Sequence, residues 1–226
     1  MRKTLSILSL VGLSAATGSA TLIDDFATGF GEAGAKNPVG VTCAGSPSAV
    51  SPASNALGGA RTLSVNPGSG PAAGGTFVGN GCATISTFGG GTLSVSDPTT
   101  GHAEVFQVSW TFPSQTLDSN YVLFLAQRDI TNVVGSPTVQ FYWTSTPGSG
   151  YIASTSVVIN SSVLSQYAVN FPTVPIGAQE ILMVIRNLSD DTDMQFQLIQ
   201  AVPEPATFGM AAAALITLGL IRRRRA

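Results

Sequence analysis

Between Thr21 and Ala201 the chain carries no convincing helical period. It is instead divided into short runs that alternate in polarity or are rich in β-branched and aromatic residues, each ended by a cluster of turn formers. Such runs can bury an apolar face only as strands, because successive side chains then point to opposite sides. The runs predict ten strands: Arg61 to Asn66, Cys82 to Phe88, Gly91 to Ser96, Glu104 to Phe112, Tyr121 to Asp129, Thr138 to Thr144, Tyr151 to Ile159, Gln166 to Phe171, Ile181 to Asn187 and Met194 to Ala201. Turn clusters such as Asn66-Pro67-Gly68-Ser69-Gly70 and Pro147-Gly148-Ser149-Gly150 separate them. In Glu104 to Phe112 the alternation assigns Phe106, Val108, Trp110 and Phe112 to the core. The segment Asn37 to Ala60, rich in Pro, Ser, Ala and Gly, reads as loop or irregular edge. Ten short strands at this spacing predict an all-β, antiparallel β-sandwich of jelly-roll type.

Composition agrees. Of the 226 residues 25 are Gly and 13 Pro, and only 10% are charged. The net charge of −2 hides an asymmetry, since Arg2, Lys3 and Arg222 to Arg225 sit in the two terminal segments. Setting those six aside leaves Lys36, Arg61, Arg128 and Arg186 against twelve carboxylates, an excess of eight negative charges. Nucleic-acid binding needs clustered cations to displace counterions, so that class is excluded.

Residues 1–20 have the three parts of a secretory signal: Arg2 and Lys3, the apolar run Leu5 to Leu13, and the small residues Gly18-Ser19-Ala20. Cleavage is expected after Ala20, with Ala16 as second choice. In an oxidising compartment Cys43 and Cys82 favour one disulfide, stabilising the fold by about 4 kcal/mol, with two free thiols as the alternative.

Residues 202–226 read VPEPATFGMAAAALITLGLIRRRRA. Pro203 and Pro205 hold an extended, accessible link that cannot continue a strand ladder. The uncharged stretch Ala206 to Ile221 is expected to enter the membrane as a helix, and Arg222, Arg223, Arg224 and Arg225 to stay cytoplasmic. The order of triplet, apolar helix and basic tail resembles the PEP-CTERM sorting signal. That resemblance implies an exosortase as partner, with Pro203, Glu204 and Pro205 as its recognition motif. It also implies transient anchoring in the inner membrane before arrival at the cell surface or extracellular matrix, in contact with exopolysaccharide. The chain thus divides into a signal peptide (1–20), a β-sandwich body (21–201) and a sorting signal (202–226). Within the body, Leu22-Ile23-Asp24-Asp25-Phe26, followed later by Gly58-Gly59-Ala60-Arg61-Thr62-Leu63, resembles the opening of many PEP-CTERM bodies and of jelly-roll modules similar to carbohydrate-binding domains.

Candidate chemistry is sparse. His102 is the sole histidine and reads as a solvated turn residue. No pair of carboxylates sits in a recognisable glycosidase pattern, although any two suitably spaced would serve. The acidic cluster Asp190, Asp191 and Asp193 is a weak calcium candidate that lacks EF-hand spacing. Tyr142, Trp143 and Tyr151 flank the Pro147 turn as a candidate sugar platform, although alternation sets Tyr142 opposite Trp143. No catalytic residue and no cofactor are expected. The leading expectation is a non-enzymatic surface or matrix protein, the second a carbohydrate-binding module, and the third a secreted hydrolase.

Overall fold

A computed structural model describes residues 20–36, 48–74, 82–88, 90–97, 105–117, 119–129, 136–188 and 192–202. These form an all-β, antiparallel sandwich. Its strands are β1 (Thr21–Asp24), β2 (Phe30–Lys36), β3 (Ser48–Pro52), β4 (Ala60–Val65), β5 (Cys82–Phe88), β6 (Leu93–Asp97), β7 (Phe106–Gln115), β8 (Tyr121–Arg128), β9 (Thr138–Thr144), β10 (Ile152–Val158), β11 (Ser165–Asn170), β12 (Ala178–Arg186) and β13 (Thr192–Val202). One sheet has seven strands in the order β11-β8-β13-β6-β5-β2, with β1 added to the C-terminal half of β13. The other has six, in the order β10-β9-β12-β7-β4-β3.

The core lies between the two sheets and follows the period of two. Phe106, Val108, Trp110 and Phe112 of β7, in one sheet, and Val122, Phe124 and Ala126 of β8, in the other, are all buried in it. Phe124 gathers Phe141, Tyr167 and Phe196 around itself at centroid distances of 5.6, 5.8 and 6.2 Å. In β13 the alternation changes phase. Met194 and Phe196 point inward, a bulge between Gln197 and Ile199 leaves Leu198 at φ 40°, and Ile199 and Ala201 then point inward. The extra residue lets one long strand serve two neighbours without turning its second half inside out.

Three strands lie outside the ten expected. β3 falls inside Asn37 to Ala60, which reads as loop because an edge strand needs only one ladder and tolerates Ser and Pro. β2 is the edge of the other sheet, and its Gly31 has a packing reason: a Cβ there would lie 2.7 Å from the Ser51 Cβ on β3. The two edges close on one another at a distance no larger residue permits. β1 is short and gains its order from a buried polar network rather than from its own pattern.

That network joins the two sheets. Asp24 of β1 accepts hydrogen bonds from Arg61 Nε at 2.6 Å, Arg61 Nη2 at 2.8 Å, Trp110 Nε1 at 2.7 Å and the Phe26 amide at 2.8 Å. Arg61 of β4 also donates to Thr87 Oγ1 at 3.2 Å and to the Thr28 carbonyl at 2.9 Å, with its guanidinium 5.1 Å from the Phe26 ring centre. Asp24 and Arg61 are 0% and 1% exposed, so the pair survives burial only because its lone pairs and protons are met by partners. The two segments singled out by resemblance are thus the two halves of one cross-sandwich staple.

The expected signal and membrane helices, His102, Cys43 and with it the disulfide, Asp190, Asp191, Pro203 to Pro205 and Arg222 to Arg225 lie outside the described residues. Cys82 opens β5. Among the described residues no helix is long and apolar enough to cross a membrane.

Candidate functional site

The outer face of the six-stranded sheet carries a row of residues set by register. Ser48, Ser64, Gln107, Val184 and Gln140 are successive cross-strand partners on β3, β4, β7, β12 and β9. The neighbouring row runs through Thr62, Ser109, Leu182 and Tyr142. Leu182 and Val184 are large apolar residues at outward positions, yet each is only 1% exposed. Their cover is residues 66–74, which leave the end of β4 and fold back over the sheet as a strap.

Strap geometry follows from its residues. Asn66 adopts φ 49°, a conformation Asn tolerates, and exchanges two hydrogen bonds with Val105: its amide donates to the Val105 carbonyl, and its side-chain oxygen accepts from the Val105 amide, both at 2.8 Å. Gly70 takes φ 78° and accepts from the Ala73 amide at 3.1 Å, closing a turn. Ala72 is fully buried in a small second core with Val105, Leu182 and Val184, against which Tyr142 and Tyr151 pack. Arg186, at the end of β12, donates to the Pro71 carbonyl and pins the strap.

Between strap and sheet lies a groove of about 430 Å³, within the range of small-ligand sites. Its floor includes Ser64, Gln107 and Leu182, its wall the strap, and its end Tyr151 and Glu180. Glu180 Oε2 accepts from the Tyr151 hydroxyl at 2.8 Å and from the Gly148 amide at 3.1 Å. Burial and the Glu180 carboxylate together push the Tyr151 hydroxyl up to about 12, which keeps it a neutral donor throughout the physiological range. Gln107 has no side-chain hydrogen bond among the described residues, so both ends of its carboxamide are available.

The aromatic platform expected around the Pro147 turn is split by the pleat, and that expectation is corrected. Tyr142 and Tyr151 share the outer face beneath the strap, whereas Trp143 is 6% exposed in the core between the sheets. Asp193 is exposed on β13, and its carbonyl accepts from the Asp129 amide at 2.8 Å. Among the described residues no group of three or more His, Cys, Asp or Glu is placed to hold a metal ion. Asp25 serves its own turn, accepting from the Ala27 amide at 2.9 Å and from Asn55 Nδ2 at 3.1 Å. Gln107 and Glu180 are the groove residues that sequence reasoning missed. The signal was present in alternation: each sits at an outward position beside a run of core residues.

No protein-family model matches the chain, and no curated protein matches it. Solved structures do match. The family 11 carbohydrate-binding module of the cellulosomal cellulase Lic26A-Cel5E of Clostridium thermocellum is similar at 10% identity over 82% of this chain and 95% of that one, with a TM-score of 0.41. A carbohydrate-binding module of family 29 is 12% identical over 63% of this chain and 90% of its own, with a TM-score of 0.36. The module TmCBM61, solved with β-1,4-galactotriose, is 11% identical over 47% of this chain and 68% of its own, with a TM-score of 0.30.

Proposed function

We propose that the chain is an exported, non-catalytic surface or matrix protein whose sandwich holds a segment of polysaccharide in the groove beneath the strap. The observation that carries this reading is the convergence of Gln107, Glu180, Ser64 and Tyr151 on one groove built from paired strands. A sugar ring presents hydroxyls that donate and accept in fixed directions, and planar amide and carboxylate groups meet them two at a time. Its C–H face suits an aromatic ring such as Tyr151. Strand-borne side chains hold these directions more firmly than loop-borne ones.

The winding of β6 to β13 supports the jelly-roll assignment. These eight strands form the four-stranded sets β6-β13-β8-β11 and β7-β12-β9-β10, joined by one hairpin, β9 to β10, and otherwise by crossings between sheets. A glycosidase reading finds less support, since among the described residues the groove lining holds one carboxylate, Glu180, where hydrolysis ordinarily needs two about 5–10 Å apart.

Binding is tested with glycan arrays followed by affinity electrophoresis. Gln107→Ala and Tyr151→Ala are expected to weaken retention about tenfold or more while the thermal unfolding curve stays cooperative. Binding that ignores both substitutions, or no binding at all, would overturn the proposal. Export and sorting at Pro203-Glu204-Pro205 are part of the same reading, supported by the terminal sequence pattern. Intact mass of the protein recovered from the cell surface, with and without the host exosortase, tests them. A tail retained through Arg225 in both strains would count against sorting.

A further inference from the structure

We infer that the groove accepts neutral glycans and rejects polyanionic ones, with Glu180 as the specificity-determining residue; this rests on the glycan-binding reading above. Among the described residues Glu180 is the only charged side chain in the groove lining, and it is a carboxylate. One of its oxygens, Oε2, is held by the Tyr151 hydroxyl and the Gly148 amide. Its other oxygen has no donor among the described residues and is left for a ligand hydroxyl. A sugar hydroxyl donating there makes a charge-assisted hydrogen bond, stronger than one between neutral groups. A uronate or sulfate in the same place brings a second negative charge into contact with the first, and like charges juxtaposed in an interface are strongly disfavoured.

The cations of the described residues stand elsewhere. Arg61 is committed to Asp24 inside the core, and Arg186 is tied to the strap through the Pro71 carbonyl. Lys36 and Arg128 belong to β2 and β8, strands of the other sheet. Residues 21–201 carry eleven carboxylates against four cations, and this excess of seven adds a long-range repulsion of polyanions. The discrimination is therefore built twice, once at contact range and once in the field around the molecule.

The test uses the full-length chain with Arg222, Arg223, Arg224 and Arg225 replaced by Ala, so that the basic tail cannot hold a polyanion, on arrays carrying neutral β-glucans, galactans, mannans and xylans beside polygalacturonate, alginate and hyaluronan. Titration then compares the best-bound neutral polymer with the same polymer oxidised at C6 to the uronate. Binding confined to the neutral polymers is expected. Glu180→Gln should shrink the ratio of acidic to neutral Kd by about tenfold or more. Raising salt to about 0.5 M should recover part of the lost acidic binding in the parent chain, because it screens only the long-range part. An acidic polymer bound as tightly as its neutral parent would overturn the inference while leaving the glycan reading intact, and so would a ratio unmoved by Glu180→Gln. Failure to bind any polymer would overturn the glycan reading itself.

Discussion

Replacing Arg61 by Met removes the positive half of a pair that is buried on both sides. Asp24 would keep the Trp110 indole and the Phe26 amide but lose two of these four hydrogen bonds and its countercharge. Thr87 Oγ1 and the Thr28 carbonyl would lose a donor as well. Breaking a buried ion pair from one side costs about 3–5 kcal/mol. In a domain of about 180 residues each kcal/mol moves Tm by about 2–4 °C, so a fall of about 6–20 °C is expected. Denaturant unfolding followed by tryptophan fluorescence reads the change, since Trp110 and Trp143 are both buried and one of them belongs to the network. The pairing itself is isolated by combining Arg61→Met with Asp24→Asn. The neutral amide needs no countercharge, so the double variant should be no less stable than Arg61→Met alone. A single-variant loss below about 1 kcal/mol, or strict additivity within about 0.5 kcal/mol, would refute the staple.

Trp110→Phe and Trp143→Phe make similar volume changes in the core, but only Trp110 donates to Asp24, while the Trp143 indole nitrogen is buried without a partner among the described residues. Trp110→Phe should cost about 1.5–3 kcal/mol more in denaturant unfolding, the worth of a hydrogen bond to a charged group. Gly58→Ala combines φ 82° with a Cβ placed 2.1 Å from the Thr111 carbonyl oxygen; a loss of at least about 1–3 kcal/mol is expected, again from denaturant midpoints. For Tyr151 the folded hydroxyl titrates near 12 against 10.0 for a free side chain. The unfolded chain therefore releases this proton first, and the stability Tyr151 contributes is full below pH 10 and declines as pH rises from 10 to about 12. Phenolate absorbance, taken as the difference from Tyr151→Phe, should show this titration, and Glu180→Gln should move it down only in part, because burial is the larger cause.

Strands were legible where both faces of the pleat leave a mark. Cys82 to Phe88 and Thr138 to Thr144 coincide end to end with β5 and β9, and β7 buries the residues that alternation assigns to the core. The strands missed are those whose order comes from elsewhere. β3 is an edge, β2 is held by the close approach of Gly31 to Ser51, and β1 is held by a carboxylate whose partners stand on β4 and β7. A pairing between positions 24 and 61 has no periodic signature, because period reports which face a residue lies on and not what it meets there. Trp143 shows the reverse case: the alternation that sets it opposite Tyr142 is a better guide than its nearness to the turn. The groove was hidden for a similar reason. Its floor is written in the strands, but its wall is a Pro- and Gly-rich segment whose sequence announces a turn without saying over which face the chain returns.

The two outer faces are hollowed in different ways. On the seven-stranded sheet the hollow at Leu123, Leu125, Leu198 and Gln200 holds only about 30 Å³, and a larger one of about 260 Å³ lies among polar and charged residues, Gln127, Arg128, Asp129, Ser162, Asp193 and Gln195, with no apolar floor. On the six-stranded sheet the strap raises a wall, and its anchors decide how firm that wall is. One anchor is Val105, immediately before β7, and the other is Arg186, the last residue of β12. β7 also carries Gln107, and β12 carries Glu180. Wall and floor are therefore fastened to the same pair of hydrogen-bonded strands and cannot move far apart without breaking that ladder. Under the proposed glycan reading, a site fixed in this way loses little freedom when a sugar enters, so a larger share of each hydrogen bond to Gln107 and Glu180 would remain as affinity.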